Sequence, residues 1–82
     1  MYNLILKTTA KKFLKRLNKD IQKEIINKLK KLKENPKLGK PLIGNLSGLW
    51  RLRINKYRII YQIKNQELTI LILEIGHRKN IY

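Results

Sequence analysis

Residues Tyr2 to Lys7 form a short, mostly apolar run, which predicts a strand. Thr8 and Thr9 follow, and a threonine hydroxyl can accept from the free amides of a helix start, so a capped helix is expected from there. The period then changes. Ala10, Phe13, Leu14 and Leu17 fall on one helical face, with Lys11, Lys12, Lys15 and Arg16 on the other. Asn18 to Asp20 interrupts this helix and supplies an N-cap for a second, marked by Ile21, Ile25, Leu29 and Leu32. The second helix must end near Asn35, because Pro36 disfavours helical backbone in the residue before it. Two amphipathic helices joined this tightly predict a helical hairpin.

Pro36 to Gly48 contain both prolines and three of the four glycines, and read as an ordered loop crossing the domain. Beyond it the pattern alternates and is rich in β-formers. Leu49 to Ile54, Tyr57 to Ile63 and Leu68 to Ile75 read as three strands, joined antiparallel by Asn55-Lys56 and by a short turn around Asn65-Gln66. Gly76 ends the last strand, and His77 to Tyr82 is a short tail. No repeat, low-complexity linker or second domain interrupts the order, so residues 1–82 read as one α+β domain: an N-terminal strand and a helical hairpin packed on an antiparallel sheet.

Side chains alternate across a strand. Trp50, Leu52 and Ile54 therefore share a face with Tyr57, Ile59 and Tyr61, and this apolar set can pack on the helices. If Asn55-Lys56 is a two-residue turn, Ile54 pairs with Tyr57, Arg53 with Arg58, Leu52 with Ile59 and Trp50 with Tyr61. The opposite face gathers Arg51, Arg53 and Arg58, and no acidic residue on these two strands relieves them. Like charges directly across a strand pair destabilise it, whereas a polyanion would stabilise it. Arginine suits that work because its planar fork binds phosphate bidentately and stays charged. In the last strand, Leu68, Ile70 and Ile72 are expected to complete the core. Leu71, Leu73 and Ile75 would then lie on the arginine side as an apolar patch that is either a docking site for a partner or covered by the tail.

Charge sharpens this picture. Lysine and arginine number 20 against 5 acidic residues, a formal charge of +15. Solubility alone asks for less, so the excess points to nucleic acid, an anionic membrane or an acidic protein partner. No apolar run is long enough to span a bilayer and no signal peptide is visible, so the expected location is cytoplasmic, with no membrane association. With no cysteine and one histidine, disulfides and most zinc sites are excluded, and the scattered acids Asp20, Glu24, Glu34, Glu67 and Glu74 offer no paired-carboxylate or magnesium site. Neither a metal nor any other cofactor is expected. Ser47 has no triad partners, and no glycine-rich phosphate loop is present. In the tail, Gly76 lets the chain turn so that Arg78 can return toward the arginine face. His77 and Tyr82 are the tail's groups with proton-transfer chemistry. His77 reads equally as a backbone-bonded or exposed residue, and Tyr82 as a chain end.

Three segments in order carry a resemblance to the RelE/ParE toxin superfamily over nearly the whole chain. They are Leu46-Ser47-Gly48-Leu49-Trp50-Arg51-Leu52-Arg53, then Tyr57-Arg58-Ile59-Ile60-Tyr61, then Gly76-His77-Arg78 with Ile81-Tyr82. The resemblance implies the RelE-like microbial RNase fold. It also implies a type II toxin that enters the ribosomal A site and cuts messenger RNA, restrained by a separately encoded antitoxin, here with acidic segments. By that resemblance Arg58, Arg78, Tyr82 and His77 are the catalytic candidates, and Arg51 and Arg53 bind substrate where RelE-type enzymes commonly carry lysines. The alternatives are a ParE-type toxin acting on DNA gyrase, a non-catalytic basic module that binds RNA or the ribosome, and a decayed toxin that keeps only antitoxin binding.

Overall fold

A computed structural model describes residues 1–77. Strand β1 (Asn3–Leu6) leads through Lys7 into helix α1 (Thr8–Arg16), and helix α2 (Lys19–Glu34) follows. A 3-10 turn at Pro36–Leu38 precedes a two-residue strand β2 (Lys40–Pro41), and a second such turn at Gly44–Leu46 leads to β3 (Trp50–Ile54), β4 (Tyr57–Lys64) and β5 (Thr69–His77). The five strands form one sheet in the order β1-β5-β4-β3-β2, antiparallel except that β1 runs parallel to β5. β1 and β5 are the first and last strands, and no tight turn joins them to dictate their direction.

The hydrophobic face of each element meets in one core. Ala10 of α1 and Ile25, Leu29 and Leu32 of α2 pack on Leu52, Ile54, Ile59, Tyr61, Ile70, Ile72 and Ile75, so both helices cover one side of the sheet. The caps are uneven. Asn18 accepts the Ile21 amide at 3.0 Å and closes the start of α2 as expected. Thr8 and Thr9 do not cap α1, because the chain passes from strand to helix at Lys7 and both threonines already lie in the first turn.

The β3–β4 hairpin has the register the alternation predicts, with Ile54 opposite Tyr57 and Trp50 opposite Tyr61. Asn55 makes the turn at φ 56°, a left-handed conformation that asparagine tolerates. The segment after α2, whose proline and glycine content predicts a loop, contains the short strand β2. The last strand departs most. The β4–β5 register shifts between Ile60, opposite Glu74, and Tyr61, opposite Ile72, so Leu73 is an extra residue in a bulge. One inserted residue inverts the alternation beyond it. Ile75, expected on the arginine side, is therefore in the core at 3% exposure. Leu68, expected in the core, is 53% exposed because it closes the Asn65–Glu67 turn in a left-handed conformation at φ 49°. The strand also continues through Gly76 to His77 rather than ending at the glycine.

Candidate functional site

Cross-strand partners point to the same side of a sheet, so register assigns the site. Arg53 is directly opposite Arg58, Arg51 is opposite Ile60, and Lys40 of β2 is opposite Arg51. Four cations thus lie across three neighbouring strands on the face away from the helices, and β2, β3 and β4 contain no acidic residue. Arg53 is exposed, while Arg51 and Arg58 are half-buried and the Arg58 Nε is enclosed. A half-buried guanidinium is partly screened from bulk water, so its pull on an arriving anion exceeds that of a fully solvated lysine. The position across β4 from Arg58 is Gly76, which puts no side chain beside it.

Beside the arginines this face is largely covered. Ile60, at its centre, is 1% exposed, Leu71 and Leu73 are half-buried, and the bulge has taken Ile75 to the other side. The same bulge sets Glu74 opposite Ile60, one strand from the cations. The other acids lie on α2 or in the turn after β4, so Glu74 is the one carboxylate in the sheet. Neither Lys40 nor Glu74 is placed by simple alternation along the chain. Pro41 marked an edge position, but a two-residue strand leaves no alternation to read; Glu74, in phase with the core positions Ile70 and Ile72, was the signal that the alternation of the last strand breaks.

The candidate residues do not all converge. Arg51, Arg53 and Arg58 do. His77 is opposite Tyr57, whose side chain lies in the helix-side layer, and the two rings meet edge-on at 5.8 Å. Tyr57 in turn meets Phe13 edge-on at 6.1 Å. The imidazole therefore packs on the helix side of the sheet, away from the Arg58 face, because the added residue at Leu73 also reverses the direction of His77. Arg78 and Tyr82 lie outside the described residues. The described part of the face offers an array of permanent donors for phosphate oxygens, and arginine there can stabilise negative charge but cannot serve as a base.

The loop carrying Lys40 is fixed from the core. The buried Tyr61 hydroxyl donates to the Pro36 carbonyl at 2.7 Å and accepts from the Gly39 amide at 3.1 Å. Burial raises the phenol's pKa above its ordinary value, an effect the Gly39 hydrogen bond partly offsets. Tyr61 also stacks on Trp50 with ring centroids 6.2 Å apart. A side chain at Gly39 would meet the Arg51 carbonyl at 2.5 Å, so β2 approaches β3 closely only with glycine there.

Comparison with known proteins agrees with this architecture. The family model for the ParE toxin of the parDE type II toxin–antitoxin system matches residues 4–82. Toxin RelG of Mycobacterium tuberculosis is 32% identical over 83 residues, which cover 99% of this chain and 95% of that protein. The toxin–antitoxin complex RelBE2 from Mycobacterium tuberculosis contains a chain with TM-score 0.85 and 32% identity, covering 94% of this chain and 98% of that one. The isolated Escherichia coli RelE toxin shares the fold at TM-score 0.81 and 18% identity, over 94% of this chain and 84% of its own. The chain belongs to the RelE/ParE family of toxins from type II toxin–antitoxin systems.

Proposed function

We propose that this toxin is an endoribonuclease that cuts messenger RNA in the ribosomal A site and so stops translation. The observation that carries the reading is the direct pairing of Arg53 with Arg58, flanked by Arg51 and Lys40, on strands without a carboxylate. Such a face presents several permanent donors on one side of the sheet, and a phosphodiester can accept from more than one of them at once.

In this reading the ribose 2′-oxygen attacks the adjacent phosphorus and the bond to the 5′-oxygen breaks. A 2′,3′-cyclic phosphate and a 5′-hydroxyl result, one proton leaving the 2′-hydroxyl and one reaching the 5′-oxygen. Arg58, with Arg78, stabilises the charge that builds on the phosphorane-like transition state. Arg51 and Arg53 hold the backbone in line. Tyr82 stacks on a base or assists proton transfer. His77 meets Tyr57 edge-on on the helix side of the sheet, and the reading routes the proton transfer through Tyr82 ahead of it. With one carboxylate in the sheet, Glu74, the reading routes no step through a metal. The ribosome supplies alignment that a site without a strong base lacks.

The partner that restrains the toxin is a cognate antitoxin with acidic segments. Family membership supports it, as does a formal charge of +15. No described helix is long and apolar enough to cross a membrane, and the site of action proposed is the cytoplasm.

The test is a cell-free translation reaction in which messenger ends are mapped after adding the toxin. Cuts within codons positioned in the A site support the reading. Translation left intact while gyrase-dependent supercoiling is lost would instead assign the gyrase-directed activity that the ParE name carries. Ribosome binding without cuts would leave a non-catalytic module.

A further inference from the structure

A cavity of about 270 Å³ opens at the β3 edge of the sheet, where α2, the loop before β2 and β3 meet. Its walls include Lys28, Gly39, Lys40, Arg51, Leu52 and Arg53. Four of these are cations drawn from three separate parts of the chain, and no acidic residue lines it. Lys28 differs from most lysines of the helices in being half-buried.

The cavity exists because β2 stops short. β2 pairs with β3 only at Lys40–Arg51 and Pro41–Trp50. One residue earlier the chain turns away, since the Gly39 amide is committed to the Tyr61 hydroxyl. The edge of β3 from Leu52 onward is therefore left beside an opening instead of beside a strand. Lys28 approaches from the helix layer, Lys40 from the loop, and Arg51 and Arg53 from the sheet.

We infer that this cavity is a second phosphate subsite, taking one backbone phosphodiester of a single-stranded RNA that crosses the arginine face. The inference rests on the endoribonuclease reading above and extends it. Arg51 and Arg53 border both the face and the cavity, so a strand lying over Arg58 and β3 reaches the edge within the spacing of neighbouring nucleotides. The volume is below the range of pockets for drug-sized ligands and suits a phosphate with part of its sugar rather than a whole base and sugar. Four converging cations favour an anion, and a phosphodiester is an anion that can accept from several donors at once. Lys28 and Lys40 are binding residues in this arrangement and touch no reacting atom.

The test uses the full chain and a short fluorescent single-stranded RNA with a non-cleavable 2′-deoxy linkage at the cut site. Binding is measured by anisotropy over a salt series for the parent, for Lys28→Gln/Lys40→Gln, and for a control in which exposed Lys11 and Lys15 of α1 are both changed to glutamine. One lost phosphate contact lowers the slope of log K against log salt by about 0.7. That loss is expected for the Lys28/Lys40 variant, with little change for the control. A scan of neutral methylphosphonate linkages is expected to weaken binding to the parent at one position away from the cut, and that penalty is expected to vanish in the variant. Because Lys28 is half-buried, thermal unfolding accompanies each measurement, and exposed Lys40→Gln alone repeats the scan if the double variant does not fold. The inference is overturned if the control loses as much slope as the variant, or if the scan finds the same penalty in both proteins. It is also overturned if the variant keeps RNA binding but loses binding of a hexaglutamate peptide, which would assign the cavity to an acidic protein. If free inorganic phosphate fills the cavity while the scan is flat, the site is an ion site and not an RNA subsite. A parent that cuts messenger yet fails the scan sinks this subsite alone. A parent that neither binds nor cuts RNA sinks the functional reading with it.

Discussion

The Tyr61 hydroxyl donates to the Pro36 carbonyl at 2.7 Å, across 25 residues of chain, and so ties the loop after α2 to the middle of the sheet. Tyr61→Phe keeps the ring in the core but strands the Pro36 carbonyl and the Gly39 amide. Leaving a part-buried polar group unsatisfied costs about 1–3 kcal/mol. Urea unfolding should register a loss of that size, and RNA affinity should fall with it because Lys40 loses its mooring. A Phe variant as stable as the parent would mean that water replaces both bonds.

The same residue predicts an alkaline limit. Burial raises the Tyr61 pKa above its ordinary 10.0, so the folded state holds this proton more tightly than the unfolded chain. Its contribution to stability is complete below pH 10 and is lost as pH rises through the raised folded value. Unfolding free energies measured from about pH 9 to about pH 11 should fall more steeply for the parent than for Tyr61→Phe, which has no phenol to ionise. Parallel slopes would refute the shift.

Gly39→Ala should be harmful although its backbone φ of −82° suits alanine. The added Cβ would sit 2.5 Å from the Arg51 carbonyl and 2.8 Å from the Tyr61 hydroxyl. Relief requires β2 to move, at a cost of roughly 1–3 kcal/mol, as in overpacked cores. Thermal unfolding should show it. At Gly44 and Gly48 the space is open and only the left-handed backbone, φ 68° and 96°, opposes alanine. There the loss should be nearer ~1–2 kcal/mol and RNA binding unchanged.

Arg58→Ala removes a charge from a crowded cationic face. We expect cleavage to fall about a hundredfold or more, the usual effect of removing one transition-state donor. Circular dichroism and melting temperature should remain near those of the parent. Full toxicity from a folded, well-expressed Arg58→Ala protein would remove Arg58 from the mechanism.

The bulge makes a prediction that alternation alone reverses. Ile75→Ala should destabilise by about 2–5 kcal/mol as a core truncation, and half-buried Leu73→Ala by distinctly less. Equal losses in denaturant unfolding would argue against the extra residue at Leu73.

The hairpin and the helices were written locally. A two-residue turn at Asn55-Lys56 between alternating strands leaves one register, and that register brings Arg53 to Arg58 and Leu52 to Ile59. The 3.6-residue spacing of Ile25, Leu29 and Leu32 likewise names the buried stripe of α2. Three features were decided only by the tertiary structure. The bulge at Leu73 sends Ile75 and His77 to the helix side and Glu74 to the other; Glu74, which unbroken alternation would bury beside Ile70 and Ile72, marks that the alternation breaks but not where the extra residue sits. The parallel partnership of β1 with β5 joins segments more than 60 residues apart, where no turn geometry constrains direction. The meeting of Lys28 and Lys40 with Arg51 and Arg53 depends on where Tyr61 halts β2. In the sequence those two lysines are indistinguishable from their solvated neighbours, because a lysine acquires a specific role only from the surfaces that enclose it.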